Sequence, residues 1–402
     1  MPKEICRIQY VSVLDSIKIH VLSFVFGIWV IFKKLAKWFW DPKKTNSGLQ
    51  RDNPPSCLVD TSLGQHKYVK LKGIKFHYVE SGPKDQPLIL LLHGFPDFWL
   101  SWRYQIPVLS QHFRVVALDL KGFGDSDKPV WRTSYKIDKI LKEIEDFVHA
   151  LGVFECTIMG HDLGALIGWY LVHHNPSLVK KFFAIACPHP NVYWQNLTST
   201  RSYQWLNFVQ VPYLPEIDAL KEDVKIINQY HKHLPANDIY LEAYKYTYSR
   251  QEDWTGPINY YRNLPFLKIN EESENVPTPV ILITGNKDKL VKLEGIVKST
   301  EFCERFYMKI IDGCEHFPHQ EDPKSFNKVL MKYLMPKKSS ESLDRTIEKS
   351  PSKRLVQGIL GAVSTTMKYG NNVIDNVQKR TNEVVGNIPT MGMLPSYIHP
   401  NS

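Results

Sequence analysis

At 402 residues, with 43% hydrophobic and 23% charged side chains, the chain has a globular composition and enough length for one extended core or two smaller ones. Its net charge of +9 sits at the ends: residues 1–50 hold eight Lys/Arg against three Asp/Glu, and residues 337–402 hold nine against five, surpluses of +5 and +4 that leave residues 51–336 neutral. A neutral body excludes a nucleic-acid binder built on a basic face, while basic ends suit anionic lipid.

In chain order, the first feature is residues 21–32 (VLSFVFGIWVIF), uncharged and followed by Lys33, Lys34 and Lys37. Spanning a bilayer takes about 20 apolar residues, so this run alone is short. Extending it back to Leu14 takes in Asp15, Lys18 and His20. No small-residue cleavage site follows, and Lys37 to Trp40 has the basic and aromatic character of an interfacial anchor. Residues 1–50 are therefore read as an uncleaved membrane anchor, the alternative being an amphipathic surface helix. Heavier positive charge after the run favours a cytosolic body, at the endoplasmic reticulum or a lipid droplet.

Residues 67–71 and 74–80 flank Lys72-Gly73 and predict a hairpin. Apolar strands follow at 88–92, 115–118, 156–159, 182–186, 280–284 and 305–311, with helical spacing at 137–151, 165–171 and 322–334. This alternation predicts an α/β fold, a mostly parallel sheet with helices on both faces. Residues 189–266 interrupt it with helical spacing and many Tyr, Trp and His, so they are read as a helical lid. The α/β core is then split into 66–188 and 267–336. From residue 337 a polar linker leads to a tail with apolar residues at Val356, Met367, Val363, Ile374 and Val385, about 11 apart. That tail is expected either to lie on a membrane or lipid-droplet surface, or to pack on the body or pair with itself. The six cysteines show neither close pairing nor a metal-ligand spacing.

Ligands in open parallel sheets bind beyond the carboxyl ends of strands, where His93, Asp162, Asp288 and His316 all fall. Gly160-His161-Asp162-Leu163-Gly164 joins a strand to a helix, with small residues that permit a sharp turn. A serine there would attack acyl carbon; a carboxylate needs no deprotonation and displaces a leaving group at saturated carbon, leaving an ester for water to cleave. Asp162 would otherwise be an ordinary helix cap. His316 is the candidate base for that water and Asp288 the acid that orients it. His319 is read as a surface histidine. His93-Gly94-Phe95-Pro96 forms a turn that can aim the Phe95 N–H at a developing oxyanion, with the Leu163 N–H as second donor. Opening a strained ether needs an acid, and Tyr261 in the lid offers a phenol with a pKa of about 10. His93, Pro96, Trp99 and Trp205 are candidate pocket walls. None of this calls for a metal or organic cofactor.

Over residues 66–335 these features resemble the α/β-hydrolase-fold epoxide hydrolases, most nearly the membrane-anchored branch. The segment HGFPDFWLSWRYQ (93–105) is similar to that family's HGFPxxWxSWRxQ. Residues 122–127, Gly160-His161-Asp162, residues 256–263 and 312–316 follow in the family's order. The resemblance implies hydrolysis of epoxides to vicinal diols, with Asp162 as nucleophile, Asp288 and His316 activating water, and Tyr261 protonating the opened ring. It implies no cofactor and no nucleic acid; the partners are an epoxide, water and membrane lipid. Three residues depart from the family pattern: Leu163 and Phe317 stand where tryptophan is usual, and the second lid tyrosine's place falls on Trp205, with Tyr203 two residues early. A dehalogenase sharing the Asp-His-Asp set, or a weakly catalytic lipid-binding membrane protein, are the alternatives.

Overall fold

In the computed structural model the described residues are 7–40, 51–197, 202–270 and 275–335. The tail expected from residue 337 lies outside them. Ten strands occur, in chain order β1 (Ile8–Tyr10), β2 (Gln65–Leu71), β3 (Ile74–Ser81), β4 (Leu88–Leu92), β5 (Arg114–Leu118), β6 (Cys156–His161), β7 (Val179–Ile185), β8 (Leu267–Ile269), β9 (Val280–Gly285) and β10 (Phe306–Ile311). Eight form one sheet in the order β10-β9-β7-β6-β4-β5-β3-β2. Only β3 runs against its neighbours, so the sheet is mostly parallel. β4 and β5 are buried along their whole length, which is why they read as unbroken apolar runs rather than alternating ones.

Helices cover both faces. Those before the interruption are α1 (Val13–Trp40), α2 (Ile106–Leu109), α3 (Ile137–Ala150) and α4 (Leu163–His174). α3 buries Ile137, Ile140, Leu141, Ile144, Phe147 and Val148, a single face at helical spacing. α4 is buried nearly all round, and Trp169 stands edge-on to Phe182 of β7 at 5.2 Å. Between β7 and β8 the regular elements among the described residues are all helices: α5 (Pro190–Leu197), α6 (Ser202–Val209), α7 (Leu214–Ala219), α8 (Lys221–Tyr230), α9 (Ile239–Thr247) and α10 (Glu252–Asn263). After β9 come α11 (Leu293–Lys298), α12 (Pro318–Glu321) and α13 (Pro323–Leu334), the last capped by the Asp322 carboxylate on the Ser325 N–H.

The N-terminal region differs from its sequence reading in two ways. The helix is 28 residues long rather than the 12-residue apolar run, because Ser12 and Asp15 cap its start reciprocally: the Asp15 N–H donates to Ser12 Oγ at 3.1 Å and Ser12 Oγ–H donates to Asp15 Oδ2 at 2.7 Å. Residues Val13–Ala36, with mean hydropathy 1.7, are long and apolar enough to cross a membrane by length and composition. Just before them, β1 pairs antiparallel with β8, which closes the helical interruption. That three-residue pairing carried no sequence pattern of its own.

Candidate active site

β6 ends at His161, and Asp162 follows with φ 46° and ψ −113° before α4 begins. A non-glycine residue in this region costs about 1–3 kcal/mol and is held only by its surroundings. Those surroundings demand glycine on both sides. A Cβ at Gly160 would lie 2.5 Å from the Ala165 nitrogen, and one at Gly164 would overlap the backbone of Leu92 in β4. The carboxylate so presented has three neighbours. Its Oδ2 accepts the Phe95 N–H at 3.1 Å and the Tyr261 hydroxyl at 3.5 Å; its Oδ1 faces His316 Nε2 at 3.8 Å.

Phe95 is held by the turn after β4. His93, wholly buried, accepts the Leu120 N–H on Nε2 at 3.1 Å, which leaves Nδ1–H to donate to the Gly94 carbonyl at 2.8 Å. Burial pushes this imidazole down to about 4, so it is neutral, as the pairing requires. His93 thus braces the turn instead of walling a pocket. Trp99 differs from its reading too. Its ring stands edge-on to His66 and Phe98 and beside His77, and its backbone N–H donates to Asp119 Oδ1 at 2.9 Å.

His316 follows β10 and Asp288 follows β9. His316 Nδ1 meets Asp288 Oδ2 at 2.9 Å, while Asp288 Oδ1 accepts the Leu290 and Val291 N–H groups at 2.7 and 3.0 Å. Burial opposes charge on His316, but Asp288 and Asp162 outweigh it and raise the imidazole to about 10. Burial likewise opposes charge on Asp162, and His316 outweighs it, holding the carboxyl below its ordinary value. The resting pair is therefore carboxylate and imidazolium. The Tyr261 phenol, buried and beside that carboxylate, stays protonated well above its usual range.

Tyr261 lies on α10, in the insert rather than on the sheet. Its place is fixed by its neighbours: Gln210 Nε2 donates to the Tyr261 carbonyl at 2.9 Å, and Arg262 donates to the Val209 and Val211 carbonyls and pairs with buried Glu216 at 2.7 Å. Trp205 of α6 stands edge-on to Tyr261 at 4.6 Å, with Phe95 6.2 Å from Trp205 and 5.6 Å from Tyr261. These rings form an apolar wall over the carboxylate. Pro96 presents its carbonyl to His231 Nε2 at 2.9 Å. Leu163 opens α4 and is buried. Tyr203 lies on α6 with Trp205, but its side chain is outside the described residues.

A polar cluster beneath His316 escaped the sequence reading. His319 is wholly buried, not on the surface; its Nε2 meets Ser101 Oγ at 2.8 Å and its ring lies 4.6 Å from that of His161. Ser101 Oγ also meets Asp97 Oδ2 at 2.5 Å, and Asp97 Oδ1 accepts the Tyr244 hydroxyl at 2.8 Å. Burial raises the Asp97 carboxyl to about 7. Burial and the His316 charge lower His161 to about 3, so neutral His161 donates Nε2–H to the His316 carbonyl at 3.0 Å. The only clues were an acid within an apolar segment and a histidine beside Asp162.

Comparison with known proteins identifies the fold and the family. Residues 87–323 match the model of a family described as having the alpha/beta hydrolase fold. The chain is 35% identical to human "Epoxide hydrolase 4" over 79% of its own length and 89% of that protein's, and 32% identical to Xenopus tropicalis "Epoxide hydrolase 3" over 75% and 84%. Among solved structures it resembles an epoxide hydrolase from Bacillus megaterium (28% identity, TM-score 0.58, covering 67% of this chain and 99% of that one). It also resembles one from Vigna radiata (27%, 0.59, 68% and 99%).

Proposed function

The chain belongs to the α/β-hydrolase family, among its epoxide hydrolases, and from that premise we propose that it opens apolar, lipid-derived epoxides through an ester on Asp162. What supports this is one observation: the Phe95 N–H, the Tyr261 hydroxyl and His316 converge on a single carboxylate. Asp162 attacks an epoxide carbon while the C–O bond breaks, and Tyr261 gives its proton to the departing alkoxide. The carboxylate oxygen held by Phe95 becomes the ester carbonyl, and the Phe95 and Leu163 N–H groups stabilise the oxyanion when water adds.

The order of steps follows from charge. In the resting enzyme two carboxylates keep His316 protonated and unable to act as a base. Esterification neutralises Asp162 and removes one of them. His316, still oriented by Asp288, then falls toward the range where it accepts a proton from water. Trp205, standing where relatives in this family carry a second lid tyrosine, leaves Tyr261 as the single lid donor when Tyr203 is not turned inward. Membrane association through the basic ends, with the body at the cytosolic face of the endoplasmic reticulum or a lipid droplet, fits apolar substrates.

A single turnover of a fatty-acid epoxide in oxygen-18 water tests the reading. Water attacks the ester carbonyl, so the label is expected in the Asp162 peptide while the diol carries an unlabelled carboxylate oxygen. Label appearing directly in the diol, or halide release from a haloalkane without diol, would overturn it.

A further inference from the structure

Helix α1 is attached to the body along most of its length. β1 joins β8 just before it, the His20 ring lies 4.9 Å from that of Phe266, and Ser23 Oγ–H donates to buried Asn207 at 3.0 Å. A Cβ on Gly27 would touch Val211, and Lys34 pairs with Asp218 at 2.7 Å. Beyond the helix the chain returns to the same insert, where Arg51 pairs with Asp223 and Glu242. From His20 to Lys34 the axis advances about 21 Å, most of the roughly 30 Å thickness of a hydrocarbon core. A helix crossing the bilayer on this stretch would carry α6, α7 and the Lys34–Asp218 ion pair into hydrocarbon, where charges and loop backbone are costly.

The free face points elsewhere. Leu14, Ile17, Val21, Phe24, Ile28 and Phe32 recur three and four apart and are each 53–80% exposed. This stripe lies roughly a third of a turn from the face that meets the body. Exposed Lys18 and half-buried Lys33, whose Nζ sits 4.3 Å over the Trp29 ring, follow on the stripe's other side. Tyr213 and Ile217, 73% and 48% exposed, lie between the Val211 and Asp218 contacts and extend apolar surface onto the insert.

We infer that α1 lies in the plane of one leaflet of an anionic membrane, apolar stripe down and lysines at the headgroups, so that residues before it and the catalytic body occupy the same side. The inference deepens the membrane association proposed above. It also turns the helical insert, rather than the sheet, toward the lipid.

The test uses the full chain in sealed microsomes, in a Cys6→Ser/Cys57→Ser background, with Tyr10→Cys or Lys84→Cys as reporters for a membrane-impermeant maleimide. Both cysteines are expected to label from the same side; labelling from opposite sides would establish a crossing helix and overturn the inference. Flotation with phosphatidylcholine–phosphatidylserine vesicles checks association separately. Phe24→Ser/Phe32→Ser is expected to cut the floated fraction at least tenfold, and Tyr213→Asp/Ile217→Asp several-fold, with turnover of a water-soluble epoxide unchanged. A wild-type chain that fails to float and cross-links to a second copy through Phe24→Cys would assign the stripe to a dimer instead.

Discussion

The two halves of the site are built by different means. On the sheet side, Asp162, Asp288 and His316 each follow a parallel strand of one sheet, β6 and β9 largely buried and β10 half-buried at the edge, so the ladder that joins these strands brings the three residues together. On the insert side, Tyr261 and Trp205 stand on separate helices and owe their positions to Arg262, Glu216 and Gln210. In the proposed mechanism the sheet sets charge, and the insert supplies the proton and the apolar wall. Damage to the first should stop chemistry without loosening the protein, whereas damage to the second should do both.

Asp162→Ala is the strongest test of the sheet side: diol formation and covalent adduct should both vanish, while the backbone strain at φ 46° stays because alanine keeps the Cβ, so only a buried charge is removed. His316→Gln should lower turnover about 10²–10⁴-fold yet still form the adduct, visible by mass spectrometry of the intact protein. On the insert side, Tyr261→Phe should slow adduct formation about a hundredfold, while hydrolysis of an adduct once formed is unchanged. Arg262→Met leaves Glu216 buried without its partner and should cost about 3–5 kcal/mol of stability by denaturant unfolding, with a parallel loss of adduct formation.

pH divides the halves further. Adduct formation needs Asp162 ionised, and its lowered carboxyl keeps that step running into acid. Ester hydrolysis needs neutral His316 and should fail as pH drops through a midpoint between about 6.5, the free imidazole value, and about 10, the resting value. Stopped-flow phases should therefore separate as pH is lowered, with the adduct accumulating. For the resting protein the sign reverses. A histidine raised on folding stabilises fully below about 6.5 and loses that contribution as pH rises toward about 10. Asp288→Asn should flatten this slope in the melting temperature.

What the sequence revealed follows the same division. Strand ends are legible because buried parallel strands read as apolar runs, and a residue directly after one has little freedom of place, as Asp162 has after β6; His316, beyond the half-buried edge strand β10, could be named as the first histidine after that strand. The cluster of Asp97, His161 and His319 was not legible, since the crossovers of the sheet bring together residues far apart in the chain, and nothing local distinguishes buried His319 from a solvated one. Trp99 and His93 misled because a motif residue near the site is as readily a brace as a wall. The extent of α1 was hidden by Asp15, a charge that interrupts an apolar count but caps a helix.

The union of β1 with β8 has a practical meaning for anyone shortening this protein. Deleting residues 1–40 to obtain a soluble enzyme would remove more than a tether. It would strip β8 of its partner, leave the Asn207 amide facing water and uncover the flank of the helix that carries Trp205. A trimmed chain should thus express with a loosened active-site roof, and keeping β1 and α1 while softening the apolar stripe is the better route to solubility.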